Sequence, residues 1–372
     1  MIKIGITGQP GFVGTHLFNL LGTQEDVQRI PCEDQFFEDM TALRAFVRQC
    51  DAIVHLAAMN RHPDPQVIYD TNVRLVKLLI QAMEAENVTP HVLFSSSTQE
   101  ERDNLYGASK REGRRLLEDW ADRHGAKFTG CVIPNVFGPY GRPNYNSVVA
   151  TFCHKLTHGE LPEIQVDGSV KLVYVGDLCQ EFLKIIRNGE SISPRPIAHG
   201  AERKVSDLLK TLERFKKLYF EKGIIPELPT RFDIQLFNTF CGYIEHKDFF
   251  PFGLKLNSDP RGTFVETVKL DNIGGQISFS TTVPGVTRGN HYHTRKIERF
   301  AVIRGRARIE LRKVGTSEKL SFELDGASPA FVDMPVWYTH NITNIGSEDL
   351  YTVFWINEFY NPEDPDTFFE EV

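Results

Sequence analysis

Two hydrophobic rhythms follow one another in this chain of 372 residues, and no single sheet or bundle accommodates both. Up to about residue 240, short apolar runs alternate with longer stretches of helical periodicity. Ile2–Ile6, Val27–Ile30, Ala52–Ala58 and Val92–Ser97 read as strands, while Thr15–Leu21, Asn72–Ala85 and Lys110–Arg123 read as helices. That alternation predicts a parallel, doubly wound α/β sheet. From about Phe249 the texture changes to short alternating segments broken by Gly and Asn, among them Gln276–Thr282, Arg299–Ile303, Ala307–Lys313 and Leu350–Ile356. Such spacing predicts an all-β barrel or sandwich. The boundary falls between Tyr243 and Phe250, giving domains 1–245 and 246–372. A chain of this length is expected to build two cores rather than one.

A formal net charge of −7 argues against nucleic acid as a partner. No apolar run approaches the length of a membrane span, and the chain opens directly into a strand and a glycine turn, without room for a signal peptide. The six cysteines are scattered without paired spacing, which points to a reducing compartment, the cytoplasm.

Chemistry is concentrated at three places in the first part. Gly8, Gly11 and Gly14 lie between the first strand and the first helix, where bare backbone can approach a pyrophosphate and the helix N-terminus offers N–H donors. The strand ending in Leu56-Ala57-Ala58 and the one ending in Ser97 place small and hydroxyl side chains at the C-terminal edge of the sheet, where ligands of such folds bind. Tyr106 and Lys110 are four apart at the start of a helix and share a face. An ammonium beside a phenol favours phenolate, so the pair is expected to lower the Tyr106 pKa and make it a usable proton donor or acceptor.

These pieces, together with Asn135-Val136-Phe137-Gly138-Pro139 and Leu172–Leu178, resemble the extended short-chain dehydrogenase/reductase family over residues 1 to about 240. The resemblance implies a Rossmann-type domain. Gly8, Gly11, Phe12, Val13 and Gly14 would hold the dinucleotide, with Asp39, just after a third strand, near adenine, and Leu56, Ala57 and Ala58 along the cofactor. Ser97, Tyr106 and Lys110 would be catalytic, with Ser96 or Thr98 as alternatives to Ser97, and Asn135 and Arg142 would meet the substrate. Arg29 stands in the second strand with no acid until Glu33 and Asp34, which favours NADPH over NADH.

In the second part His291, His293, Glu298 and His340 combine two histidines two apart on a strand with later N and O donors. That set can complete a shell for one divalent ion, with zinc expected and manganese, iron or nickel also suited. Gly285, the three following donors and Gly305 resemble the first motif of the cupin barrels. Pro335, His340 and Asn344 resemble the second, except that Trp337 stands where glycine is usual. Cupins also keep such residues without metal. Asp259–Glu266 and Arg288–Tyr292 further resemble the nucleotide-sugar 3,5-epimerase branch of that superfamily. That likeness implies His291 as proton-abstracting base and Arg261, Glu266 and Arg288 as ligand contacts. His291 therefore carries two competing assignments, ligand and base.

The two halves together resemble the bifunctional enzymes of bacterial capsule and O-antigen synthesis on the route to UDP-N-acetyl-L-fucosamine. The resemblance implies C3 epimerisation of a UDP-4-keto-6-deoxy-HexNAc in the cupin half, then NADPH-dependent C4 reduction to UDP-N-acetyl-6-deoxy-L-talosamine, in a homodimer. The alternative is an NAD-dependent nucleotide-sugar dehydratase or epimerase whose metal-binding cupin serves dimerisation or sugar sensing.

Overall fold

The first strand, β1 (Ile2–Thr7), pairs on one side with β2 (Val27–Ile30) and on the other with β3 (Ala52–His55). In this computed structural model, which describes residues 1–259, 262–265, 267–271, 275–358 and 361–372, the sheet continues through β4 (His91–Ser97) and β5 (Phe128–Ile133). Every pairing is parallel, in the order β2-β1-β3-β4-β5 and then β8 (Arg195–Pro196). The order reverses between β1 and β3, which is where doubly wound sheets hold ligands.

Successive strand residues point to opposite faces. Ile4, Ile6, Val54 and Leu93 pack against α1 (Phe12–Leu21) and α6 (Val175–Asn188). Ile53, Val92 and Phe94 pack against α2 (Met40–Val47), α3 (Pro65–Glu86) and α4 (Leu105–His124). A smaller sheet joins β6 (Asn135–Phe137), β7 (Ser169–Tyr174) and β9 (Ala201–Lys204). No described helix is long and apolar enough to cross a membrane, and all six cysteines are buried and free.

The chain separates into two units, Met1–Val148 with Gly168–Lys204, and Val149–Asp167 with Val205–Val372. The second contains α5 (Val148–Thr157), α7 (Val205–Phe215), α8 (Arg231–Cys241) and α9 (His246–Phe249), then strands throughout. Helices of the interval 205–249 thus cluster with the β-rich part, although the change in sequence texture comes at their end.

Short pairs are made by β10 (Ile224–Ile225) with β14 (Lys269–Leu270) and by β12 (Leu256–Asp259) with β13 (Gly262–Val265). The rest forms two five-stranded sheets. One runs β11 (Phe252–Gly253), β20 (Ala330–Met334), β17 (Glu298–Arg304), β22 (Leu350–Ile356), β15 (Gln276–Thr282). The other runs β19 (Lys319–Asp325), β18 (Arg306–Lys313), β21 (Tyr338–Asn344), β16 (Thr287–Tyr292), β23 (Phe368–Phe369). Their pairings are antiparallel. Between them lies a core of Val302, Ala307, Ile309, Leu311, Val332 and Ile342. The expected order, a doubly wound sheet followed by an all-β barrel, is the one observed.

One buried charge pair fastens helix to barrel inside the second unit. Arg299, 1% exposed, donates to both Asp333 oxygens at 2.7 and 2.9 Å and to the Gly223 carbonyl at 2.8 Å, while the Tyr219 hydroxyl donates to the same carboxylate.

Candidate active sites

The turn after β1 is shaped by backbone alone. Gly8 has φ +69°, and a Cβ there would meet the Ala57 nitrogen at 2.7 Å. A Cβ on Gly14 would meet the Gly8 and Gln9 carbonyl oxygens at 2.4 and 2.7 Å. Gly11 precedes α1 with no side-chain cap, so side chains leave the first-turn amides of Phe12 and Val13 uncovered. This is a cradle that any Cβ would fill, and its donors and dipole suit a dinucleotide pyrophosphate. Leu56, Ala57 and Ala58 follow the end of β3 beside it, half-buried, with the Ala57 N–H donating to Thr7 Oγ1 at 3.3 Å.

One sequence expectation about the cofactor requires correction. Asp39 does not follow the third strand: it lies between β2 and β3 as the N-cap of α2, accepting from Thr41 N at 2.9 Å and Ala42 N at 3.3 Å. The segment Asp34–Glu38 before it, with Phe36 and Phe37 adjacent, forms a 3₁₀ turn rather than a strand. Arg29 does lie in β2, but its guanidinium donates to the Phe18 carbonyl at 3.2 Å and lies 4.2 Å over the Phe18 ring. These contacts lay the side chain along α1 and leave its charge in place.

Ser97 closes β4, and its hydroxyl accepts from Gln99 N at 3.2 Å. The neighbours it was weighed against point elsewhere. Ser96 donates to buried Glu100, which Arg114 grips at 2.9 Å, and Thr98 is exposed. Asn104 then caps α4 by accepting from Gly107 N at 2.7 Å. A Cβ on Gly107 would stand 2.0 Å from the Gln99 carbonyl, so only glycine lets the helix start so near the serine turn. Tyr106 and Lys110 share a face, with the Lys110 ammonium 5.8 Å from the Tyr106 ring centre and donating to the Ser95 carbonyl at 2.8 Å.

The electrostatics of the pair differ from the sequence expectation. Burial brings the Lys110 ammonium down to about 8, against the opposing pull of Glu100. Burial, and then the nearby Tyr145, push the Tyr106 phenol up to about 12 rather than down. Desolvation outweighs an ammonium whose nearest bond is to a carbonyl.

Sequence reasoning missed Asn72 and His16. Asn72, on α3, donates to Met59 O and Ser109 Oγ, both at 3.0 Å, and Ser109 donates to Tyr106 O at 2.7 Å. It ties the loop after β3 to the first turn of α4. His16 donates to Pro139 O at 2.9 Å and so ties α1 to the segment after β6. Both would have needed a sequence signal for a buried polar residue on an amphipathic helix. Asn135 is exposed in β6 and donates to Lys171 O at 3.3 Å. Arg142 is exposed, 5.0 Å over the Tyr145 ring.

In the second unit, β16 and β21 pair His291 with His340, and Glu298 opens β17 in the facing sheet. The Glu298 carboxylate lies 3.0 Å from His340 Nε2, 3.3 Å from His293 Nε2 and 3.9 Å from His291 Nε2. One donor atom from each of the four residues falls within 4.8 Å of all the others. Donors around a tetrahedral ion at about 2.1 Å stand roughly 3.4 Å apart, so small adjustments would close the shell. The His293 Nδ1 meets the Asp366 carbonyl at 2.5 Å and the His340 Nδ1 meets the Tyr338 carbonyl at 3.2 Å, so each turns a lone pair at Nε2 inward. His293 Nε2 is buried and has no hydrogen-bond partner among the described residues. The residues fit a divalent ion. Burial alone would raise the Glu298 carboxyl, but the three imidazoles together hold it well below the usual carboxylate range.

His291 differs from the other two. Its side chain is 24% exposed, against 4% for His293 and 1% for His340. Arg288 comes three residues earlier, a spacing that puts side chains on opposite faces of a regular strand. A bulge between Gly289 and His291, with Asn290 at φ +57°, changes that. Arg288 now pairs with core residue Ile342 and His291 with His340, on one inner face. Trp337 has φ +62°, the conformation glycine usually supplies, and its buried ring stacks on Tyr292 at 5.6 Å. Arg261 and Glu266 lie outside the described residues.

Residues 4–198 match the NAD dependent epimerase/dehydratase family, and residues 257–368 match the Polysaccharide biosynthesis C-terminal domain. Over 374 aligned residues, 99% of this chain and 98% of the relative, the sequence is 34% identical to UDP-2-acetamido-2,6-beta-L-arabino-hexul-4-ose reductase of Pseudomonas aeruginosa PA103. Among solved structures, the capsular polysaccharide assembling protein CapF from Staphylococcus aureus aligns over 100% of both chains, with 33% identity and a TM-score of 0.60. RMD from Pseudomonas aeruginosa, complexed with NADPH, covers 58% of this chain and 84% of its own at 22% identity and a TM-score of 0.53, a likeness of fold alone.

Proposed function

This chain belongs to the NAD dependent epimerase/dehydratase family, and on that premise we propose a bifunctional nucleotide-sugar enzyme. The second unit inverts C3 of a UDP-4-keto-6-deoxy-HexNAc, and the first then reduces C4 with NADPH to UDP-N-acetyl-6-deoxy-L-talosamine, for capsule or O-antigen synthesis. The order follows from chemistry: the 4-keto group acidifies the C3 proton, so epimerisation precedes reduction. The relative from Pseudomonas is a 4-ulose reductase by name and is similar end to end, which supports both the keto-sugar substrate and the joining of the halves.

In the first unit, bound NADPH would supply the hydride that arrives at sugar C4. Tyr106 donates its proton to O4, and at neutral pH the raised phenol is fully protonated and ready to do so. Lys110, cationic and buried beside it, stabilises the phenolate that forms. Ser97 holds O4, and Gly8, Gly11, Phe12, Val13 and Gly14, with Asp39, Leu56, Ala57 and Ala58, carry the cofactor. Asn135 and Arg142 meet the substrate.

In the second unit, a zinc ion held by His293, Glu298 and His340, with His291 as the fourth ligand of the resting site, would supply a fixed positive charge. His291, the most exposed of the three histidines, takes the C3 proton once its nitrogen is off the ion, because a neutral imidazole has one lone pair for either role. Arg288 on the same face, with Arg261 and Glu266, holds the nucleotide. The enzyme acts as a cytoplasmic homodimer. Against dehydratase chemistry, Glu100 is buried and bound by Arg114 and Ser96, and Glu101 and Asp103 are exposed.

The observation that carries the reading is the presence of two complete chemical sets, Ser97–Tyr106–Lys110 and the four-residue cluster, in separate units. Tyr106→Phe tests it. NADPH oxidation with the keto sugar should fall by about 10²–10⁴-fold while C3 proton exchange continues. Loss of both activities together would contradict separate sites.

A further inference from the structure

His293 is aimed by a residue 73 positions further along the chain. Asp366 is 3% exposed, with φ +42°, an unfavourable backbone conformation for a residue other than glycine. Its main-chain carbonyl accepts from His293 Nδ1 at 2.5 Å. Its carboxylate accepts from Thr294 N at 3.1 Å, Thr294 Oγ1 at 2.6 Å and Arg295 N at 3.0 Å. Both ends of one residue therefore grip the turn that follows β16.

The neighbouring segment is held as firmly. Arg295 reaches the Asp364 carboxylate at 2.9 Å, and the Lys296 ammonium donates to the Pro365 carbonyl. After Asp366 the chain becomes β23, pairing Phe368 with Tyr292 and Phe369 with His291, and Phe368 stacks on Tyr292 at 5.5 Å. Three consecutive residues after His293 thus anchor a returning segment that contributes no ligand atom of its own.

A neutral imidazole accepts through only one nitrogen, and the bond made by the other decides which. We infer that Asp366, docked by its carboxylate on Thr294 and Arg295, is the positioning residue of the metal centre: its carbonyl keeps the proton of His293 on Nδ1 and turns Nε2 to Glu298 and His340. This rests on the reading that these residues bind a divalent ion. It adds that metal affinity is set in part by a segment outside the ligand set.

Asp366→Ala removes the carboxylate grip and leaves every ligand in place. Asp366→Asn keeps one carbonyl oxygen to accept from Thr294. Zinc affinity, measured on folded metal-free protein against a competing chelator, should fall by about 10–100-fold in Asp366→Ala, and Asp366→Asn should recover part of the loss. The visible bands of the cobalt-substituted protein should shift in Asp366→Ala. In metal-free protein with ¹⁵N-labelled histidine, His293 should carry its proton at Nδ1 in the parent and lose that preference in Asp366→Ala. A purely structural role would lower the melting temperature and leave affinity, cobalt bands and tautomer unchanged, and that result would overturn the inference. Failure of the parent protein itself to bind zinc would overturn the metal reading instead, while the tautomer measurement still decides the role of Asp366.

Discussion

Raising the pH through 8 should switch off the reductase. Lys110 is 4% exposed, and burial brings its ammonium to about 8, within reach of an ordinary titration. The protonated fraction of such a group drops from about 0.9 at pH 7 to about 0.1 at pH 9. If catalysis needs the cation, kcat/KM for NADPH-dependent reduction should fall about tenfold across that interval, because this ratio reports groups of the free enzyme. The Tyr106 phenol, raised to about 12, contributes no break in the same range. The assay is initial-rate NADPH oxidation with the keto sugar from pH 6 to 10. Lys110→Arg supplies the control, since a guanidinium stays charged throughout and should remove the break even where geometry lowers the absolute rate. A flat parent profile to pH 10, or a break near pH 8 that survives in Lys110→Arg, would refute the assignment of this titration to Lys110.

Gly107→Ala places a Cβ 2.0 Å from the Gln99 carbonyl, so the serine turn and the catalytic helix must separate by about 1 Å, a displacement that can cost about 10²-fold in kcat. Steady-state kinetics check it, and a near-normal kcat would show that the turn is free to move. Asp333→Asn leaves the Arg299 guanidinium buried without its charge partner and should lower the stability of the second unit by about 3–5 kcal/mol in denaturant titrations. The pair Arg299→Met with Asp333→Leu should lose less, because no buried charge remains. His293→Ala should lower bound zinc below one equivalent by elemental analysis, and NADPH oxidation in the first unit should be unchanged when the C3-epimerised keto sugar is supplied directly.

Much of this architecture is local and therefore legible in sequence. The alternating runs Gln276–Thr282 and Leu350–Ile356 coincide with β15 and β22, and Val27–Ile30 with β2; period two marks a strand locally even in β15, where Ile277 and Phe279 lie exposed. Tyr106 and Lys110, four apart, needed only a helix to share a face. The failures all involve information that arrives from a distance. Whether Lys110 lowers the Tyr106 phenol depends on how deeply both are buried and on the Ser95 carbonyl, neither of which is visible in a pentapeptide. The bulge that brings Arg288 and His291 to one face breaks the rule that would have separated them. Asp366 bonds to a turn some seventy residues earlier, and no spacing announces that. Trp337 is a partial exception: its departure from the usual glycine was visible, and the positive φ explains why glycine is usual there.

The central claim, that two chemistries operate in sequence in one chain, meets its most direct test in deuterium oxide. Full-length protein is incubated with UDP-4-keto-6-deoxy-HexNAc and no nicotinamide, and the sugar is followed by proton NMR. Deuterium should enter at C3, should be lost in His291→Ala, and should persist in Tyr106→Phe. Addition of NADPH to the parent protein should then convert the exchanged sugar to the C4 alcohol with deuterium retained at C3. If deuterium never enters at C3 while NADPH is still oxidised, the second unit is not an epimerase and the account of two coupled reactions is wrong.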